Sequence, residues 1–324
     1  MPLISESDYR APFLFGNPHF QTIIPTLFRK VAGVIYKRER IDTADEDFLD
    51  LDWSSVGSKR LCIVLHGLEG NSGRPYMRGM VRALNRRRWD ALALNFRGCC
   101  GEPNRKLRMY HSGETEDLQA VINHASALGA YSQLALVGFS LGGNAILKYL
   151  GEQGAGVAPI LRAAVTISVP CDLSACSIRL EEFLNRPYLK RFLRMLRGKM
   201  ETKSLMAPDI VRIAGYDQIK TLKEFDDRYT APLHGFKDAD DYYSQSSCKQ
   251  FLNTISIPTL LINAADDPFL SATCFPTKEA EANQNLFLEV PKHGGHVGFM
   301  ARNRELEYWS EARATSFLEQ HSQA

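Results

Sequence analysis

The stretch Gly138-Phe139-Ser140-Leu141-Gly142-Gly143 constrains the fold more than any other part of the chain. An apolar run, Leu134-Ala135-Leu136-Val137, precedes it, and a helix-compatible segment, Asn144 to Leu150, follows. A G-x-S-x-G sequence between a buried strand and a helix puts the serine on a sharp, strained turn. Glycines at Gly138 and Gly142 keep side chains out of that turn. The expected geometry has Ser140 Oγ presented above the sheet and the backbone N–H of Leu141 aimed at a bound oxygen. Taken alone, the five residues also fit a glycine-rich turn with an incidental serine. The rest of the chain must supply partners.

Its bulk properties are those of an ordinary globular protein. The 324 residues are 44% hydrophobic and 23% charged, enough for a large core. A net charge of +2 argues against nucleic acid as a partner, and Arg86-Arg87-Arg88 reads as a solvated helix end. The seven cysteines are odd in number and fit no zinc spacing. Several flank apolar runs, where a thiol acts as a small hydrophobe, so a reducing cytoplasm is the expected location. Met1 to Glu6 lacks the basic and apolar regions of a signal peptide. No apolar run approaches the roughly 18 residues that span a bilayer, so any membrane contact would be peripheral.

Residues 1–30 mix prolines and aromatics and read as an irregular arm packed on the body, with His19 structural. Val34 to Asp42 and Phe48 to Trp53 form an antiparallel hairpin across the turn Thr43-Ala44-Asp45-Glu46-Asp47. Then strands alternate with helices: a strand at Leu61–Leu65, a helix at Pro75–Arg87, a strand at Ala91–Leu94, a helix at Ser112–Leu128, the strand and helix around Ser140, and a strand at Ala163–Ser168. This rhythm predicts a mostly parallel sheet with helices on both faces. It breaks at 170–257, a charged, helix-like stretch without buried strand runs. There Leu189, Phe192, Leu193 and Leu196 make one apolar face among Lys190, Arg191, Arg194 and Arg197. Strands resume at Thr259–Ile262 and Asn285–Val290, and a last amphipathic helix carries Leu306, Trp309, Ala312 and Phe317. The predicted organisation is an α/β core over 31–169 and 258–324, with 170–257 inserted as a helical cap.

In open parallel sheets the active site lies at the carboxyl ends of the strands, and four elements fall there. Ser140 is the first. His66-Gly67-Leu68 follows a buried strand, where the N–H of Leu68 would be a second oxyanion donor, and His66 reads as a structural brace for that loop. Asp266-Asp267-Pro268-Phe269 follows a late strand, and His293-Gly294-Gly295-His296 follows the last one. A serine hydroxyl is a poor nucleophile until a base takes its proton. An imidazole, with a usual pKa of about 6.5, does so at neutral pH, and a buried carboxylate fixes its tautomer. Asp267 is chosen over Asp266 because one step further into the turn reaches back better. His296 is chosen over His293 because Gly295 and Gly298 let its backbone approach closely. A zinc site from the two histidines and two aspartates matches no metal motif.

The chain resembles the YheT-like branch of the α/β-hydrolase superfamily. The resemblance rests on Gly16-Asn17-Pro18-His19-Phe20-Gln21-Thr22, His66 to Gly70, Asn95-Phe96-Arg97-Gly98-Cys99, Tyr110-His111-Ser112-Gly113, Gly138 to Asn144, Asp266 to Phe269 and His293 to His296. It implies an α/β-hydrolase fold and a Ser140–His296–Asp267 relay acting on carboxylic esters, with acylglycerols or phospholipids as candidate substrates. Eukaryotic members carry an N-terminal membrane anchor, which this sequence lacks, so it is similar to the soluble bacterial type. Arg97 and His111 match branch motifs and are assigned loop-stabilising contacts. The expected protein is a cytoplasmic serine esterase with no cofactor and no metal, acting on a small acyl ester, with a rate that falls in acid. The rival readings are an acyltransferase using the same site and a non-catalytic lipid-binding module.

Overall fold

The protein is described by a computed structural model covering residues 3–301 and 306–322. Its nine strands, in chain order, are β1 (Leu3–Ile4), β2 (Lys37–Asp42), β3 (Phe48–Ser54), β4 (Arg60–Leu65), β5 (Asp90–Asn95), β6 (Gln133–Phe139), β7 (Leu161–Ile167), β8 (Thr259–Ile262) and β9 (Leu286–Glu289). They form one sheet in the order β1-β9-β8-β7-β6-β4-β5-β3-β2. Pairing is antiparallel in β2–β3 and β3–β5 and parallel elsewhere. This is the mostly parallel sheet that the strand–helix rhythm predicts, in the α/β-hydrolase arrangement that the resemblance implies.

Because strand side chains alternate between faces, neighbouring residues feed two different cores. Leu61, Ile63, Leu65, Leu134 and Leu136 join one core with helices α3 (Glu116–Ala127) and α4 (Leu141–Gln153). Cys62, Val64, Ala135 and Val137 join the other, against α2 (Pro75–Arg86) and the C-terminal helix Trp309–His321. The central strands are therefore apolar at nearly every position, as burial on both faces requires.

Several boundaries differ from the sequence reading. The N-terminal segment is not all irregular: Pro18–Phe28 is a helix, α1, whose Asn17 side chain accepts the N–H groups of His19 and Phe20. The helix expected over 112–128 starts only at Glu116, because the Tyr242 hydroxyl accepts the Ser112 N–H and the Asn144 amide donates to the Ser112 carbonyl. The hairpin strand expected from Val34 begins at Lys37. Leu306 lies outside the final helix and 59% exposed, since Glu311 accepts the Tyr308 N–H and fixes the start at Trp309.

Between β7 and β8 the described chain carries helices and turns only. The largest helices are α5 (Leu173–Glu181) and α6 (Arg186–Met206). No helix of the described residues is long and apolar enough to cross a membrane.

Candidate active site

Ser140 joins β6 to α4 at φ 52° and ψ −119°, a left-handed conformation that costs energy for any residue with a Cβ. The surrounding glycines make it possible. A Cβ at Gly138 would lie 2.6 Å from the Gly142 carbonyl oxygen, and one at Gly142 would lie 2.6 Å from that of His66. The elbow packs against the end of β4 without room for one methyl group.

Two Asp–His pairs occupy the loops after β8 and β9. Asp267 Oδ2 lies 2.9 Å from His296 Nδ1, and His296 Nε2 lies 3.0 Å from Ser140 Oγ. Asp266 Oδ2 lies 3.0 Å from His293 Nδ1, while Asp266 Oδ1 accepts the Gly295 N–H. The pairs differ in surroundings. The Asp267 carboxylate is fully enclosed and also accepts the Phe269 N–H at 2.9 Å, whereas the His293 ring is 36% exposed. Only His296 reaches Ser140. The second pair ties the β8 and β9 loops to each other.

The loop after β4 faces the elbow from the other side. His66 is fully buried, with Nδ1 2.8 Å from the Gly67 carbonyl and Nε2 accepting the Phe96 N–H at 3.2 Å. Burial pushes its pKa down to about 3, so the neutral ring braces the loop with one donor and one acceptor. Glu69, at φ 54°, takes the Tyr110 hydroxyl (2.7 Å) and the Lys199 ammonium (2.7 Å) on its carboxylate. Among the described residues, neither the Leu68 nor the Leu141 N–H donates to a protein acceptor.

Above Ser140 opens a chamber. Leu68, Leu141, Phe269 and His296 form its floor beside the serine, and Leu173, Leu180, Phe192, Leu196, Leu222 and Phe225 wall it. The Phe269 ring lies 4.3 Å from that of His296 and packs edge-on against Tyr188 of α6, which stacks on His19 of α1. His19 Nδ1 lies 3.0 Å from the Tyr188 hydroxyl. His19 thus acts through packing, at the edge of the site.

Arg97 is buried among Asp45, Asp47 and Asp117 at 2.6–3.2 Å and pins the hairpin turn to α3. His111 accepts the Gly113 N–H at 3.2 Å. The sequence reading missed several supporting groups. Thr22 Oγ1 accepts the His296 N–H at 2.9 Å, and Ser168 Oγ accepts that of Val297. Lys199 and Lys203 of α6 both point inward; Lys203 Nζ donates to the Asn104 and Lys106 carbonyls and to Asn104 Oδ1. Their signal was present, since both continue the buried stripe of Leu189, Leu193, Leu196 and Met200 at helical spacing. A cation in phase with such a stripe marks a buried tether.

Chemically, the arrangement is a hydroxyl within hydrogen-bond reach of an imidazole whose other nitrogen is held by a buried carboxylate. Among the described residues no group of three or more His, Cys, Asp or Glu side chains could hold a metal ion. The two histidines each go to a separate aspartate.

The family model for the alpha/beta hydrolase fold matches residues 61–302. The candidate esterase YheT of Escherichia coli (strain K12) is 38% identical over 96% of this chain and 92% of its own length. Phospholipase ABHD3 of Mus musculus is 30% identical over 92% of this chain and 74% of its own length. Among solved structures, the Pyrococcus furiosus esterase Pf2001 superposes with a TM-score of 0.60 at 19% identity, covering 90% of this chain and 96% of that one, a likeness of fold. The chain belongs to the α/β-hydrolase superfamily and, within it, to the YheT-like branch.

Proposed function

We propose that this protein is a serine hydrolase of carboxylic esters. The observation that carries the reading is the unbroken line Asp267–His296–Ser140, with contacts of 2.9 and 3.0 Å, at the floor of an apolar chamber. His296 Nε2 takes the Ser140 proton as Oγ attacks the ester carbonyl. Asp267 holds the proton on Nδ1 and stabilises the imidazolium that forms. The Leu68 and Leu141 N–H groups receive the oxyanion, contacts whose individual loss costs about 10²–10³ in rate. His296 then returns the proton to the leaving alcohol, and water activated by the same ring releases the acid. No step calls for a metal or a cofactor.

Residues 170–257 act as the cap that selects the substrate. The chamber's apolar walls support an acyl chain as the bound group, in keeping with relatives named for esterase and phospholipase activity. The seven free cysteines support the reducing cytoplasm as its location. Ser140→Ala tests the reading: it should abolish both labelling by a fluorophosphonate probe and turnover of 4-nitrophenyl butanoate. Ester turnover that survives the substitution would overturn it.

A further inference from the structure

One part of the chamber's lining is unusual. Ser140 and His296 come from loops at the ends of the sheet strands, whereas part of the lining comes from residues 222–243 between β7 and β8. There the helical turn Leu222–Phe225 passes into a π-helical turn, Asp226–Thr230, before the turn Ala231–His234. Such wide turns are rare and concentrate at functional sites. This one brings Asp226 to the chamber.

Asp226 is surrounded by protein, yet it keeps accessible surface and lines the chamber. Its carboxylate accepts the Thr230 hydroxyl at 2.5 Å and the Tyr243 hydroxyl at 2.7 Å. No cation among the described residues forms an ion pair with it. The nearby Lys223 ammonium goes to Asp240 at 2.8 Å and Asp227 at 3.6 Å instead. Burial pushes the Asp226 pKa up to about 6, with the two hydroxyls opposing the rise. A carboxyl in a largely apolar chamber is costly, and a leucine there would line it more cheaply. An ionised carboxylate offers about four acceptor positions, and Thr230 and Tyr243 fill two. Leu173, Leu180, Phe192, Leu196, Leu222 and Phe225 line the same chamber as this acceptor and Ser140. A substrate seated at Ser140 can reach Asp226 across this apolar lining with a hydrocarbon arm that ends in a hydrogen-bond donor.

We propose that Asp226 is a specificity-determining acceptor for a hydroxyl at the distal end of the substrate's acyl chain, so that hydroxylated acyl esters are the preferred class. This rests on the ester-hydrolase reading and names its substrate. Ser140 attacks the carbonyl at the floor, the methylene chain crosses the apolar walls, and the terminal hydroxyl donates to Asp226.

The test uses matched 4-nitrophenyl esters, plain and ω-hydroxylated, from butanoyl to hexadecanoyl. At the length that spans the chamber, the unsubstituted protein should favour the hydroxylated ester about tenfold in kcat/KM, as one added charge-assisted hydrogen bond warrants. Asp226→Asn keeps an acceptor and should retain part of that preference. Asp226→Leu should bring the ratio to one or below while plain esters are still cleaved. A ratio of one at every length in the unsubstituted protein, or a preference unchanged in Asp226→Leu, would overturn the proposal.

A binding measurement separates this proposal from the chemistry beneath it. Calorimetry on Ser140→Ala should find ω-hydroxy acids bound more tightly than plain acids, and the difference should vanish in the Ser140→Ala, Asp226→Leu double variant. Discrimination in binding without any ester turnover would sink the ester-hydrolase reading and keep the acceptor role. Turnover without discrimination would do the reverse. Thermal melts of each variant identify a loss that comes from misfolding.

Discussion

The two Asp–His pairs permit a sharp discrimination between a relay and a brace. In Asp267→Asn the amide oxygen will stay on the Phe269 N–H, which the carboxylate already accepts at 2.9 Å. The new NH₂ group then occupies the position of Oδ2, 2.9 Å from His296 Nδ1 and closer to it than the amide oxygen at 3.1 Å. Two donors cannot face each other, so Nδ1 becomes the acceptor and the ring proton moves to Nε2. That nitrogen, 3.0 Å from Ser140 Oγ, then donates where it should accept, and the serine loses its base. A wrong tautomer in otherwise intact geometry lowers kcat by about 10⁴, or about 5–6 kcal/mol of barrier. Asp266→Asn is the matched control. It keeps an amide oxygen for the Gly295 N–H and loses only the partly exposed contact to His293. An ion pair in such a setting contributes up to about 1 kcal/mol. Its turnover should fall less than about tenfold, with a small drop in melting temperature. Steady-state kinetics on 4-nitrophenyl butanoate, with fluorophosphonate labelling rates alongside, reads both variants. If Asp266→Asn is as damaging as Asp267→Asn, or if Asp267→Asn keeps more than a hundredth of the rate, the assignment of the relay acid is wrong.

Gly142→Ala should be incompatible with the native elbow, because its Cβ would meet the His66 and Leu65 carbonyl oxygens at 2.6 and 2.7 Å. The expected cost exceeds about 3 kcal/mol, since main chain on both sides must shift. Gly198→Ala, in the middle of α6 with nothing within 4 Å of the added carbon, should instead stabilise by about 1 kcal/mol; chemical denaturation compares the two. His66 sets a pH dependence of stability. Its folded pKa lies near 3 through burial, while an unfolded imidazole binds a proton below about 6.5. Between these values the unfolded state holds more protons, so stability falls as the pH drops, by up to about 1.4 kcal/mol per unit from this group. Unfolding free energies from pH 7 to 4 should show a shallower slope in His66→Gln, and equal slopes would remove the claim.

The parts legible in the sequence were those specified locally. β4, β5, β6 and β8 are short apolar runs bounded by turn residues, and their limits moved by two residues at most. The loops carrying Ser140, Asp267 and His296 were found because each directly follows such a run. Elements held by distant contacts were harder to read. β1 is two residues long and exists through its pairing with β9. α1 contains Pro25 and several aromatics, and only the Asn17-Pro18 start, a cap followed by proline, signals it. The roles of Thr22, Ser168 and Asp226 depend on residues more than a dozen positions away, which no local pattern encodes.

Assembly of the site spans almost the whole chain. The Ser140–His296 contact joins residues 156 apart, and the Thr22–His296 contact joins residues 274 apart. During synthesis the elbow, its strand and its helix emerge first, with the backbone already able to fold around the serine. The imidazole arrives near the end and is seated on a threonine made near the beginning. On the proposed relay Ser140 has no base until that closure, so a nascent or C-terminally truncated chain would present an ordinary hydroxyl. On the same proposal, acquisition of reactivity toward a serine-directed probe should report completed folding and lag behind burial of the sheet by the time this loop takes to close.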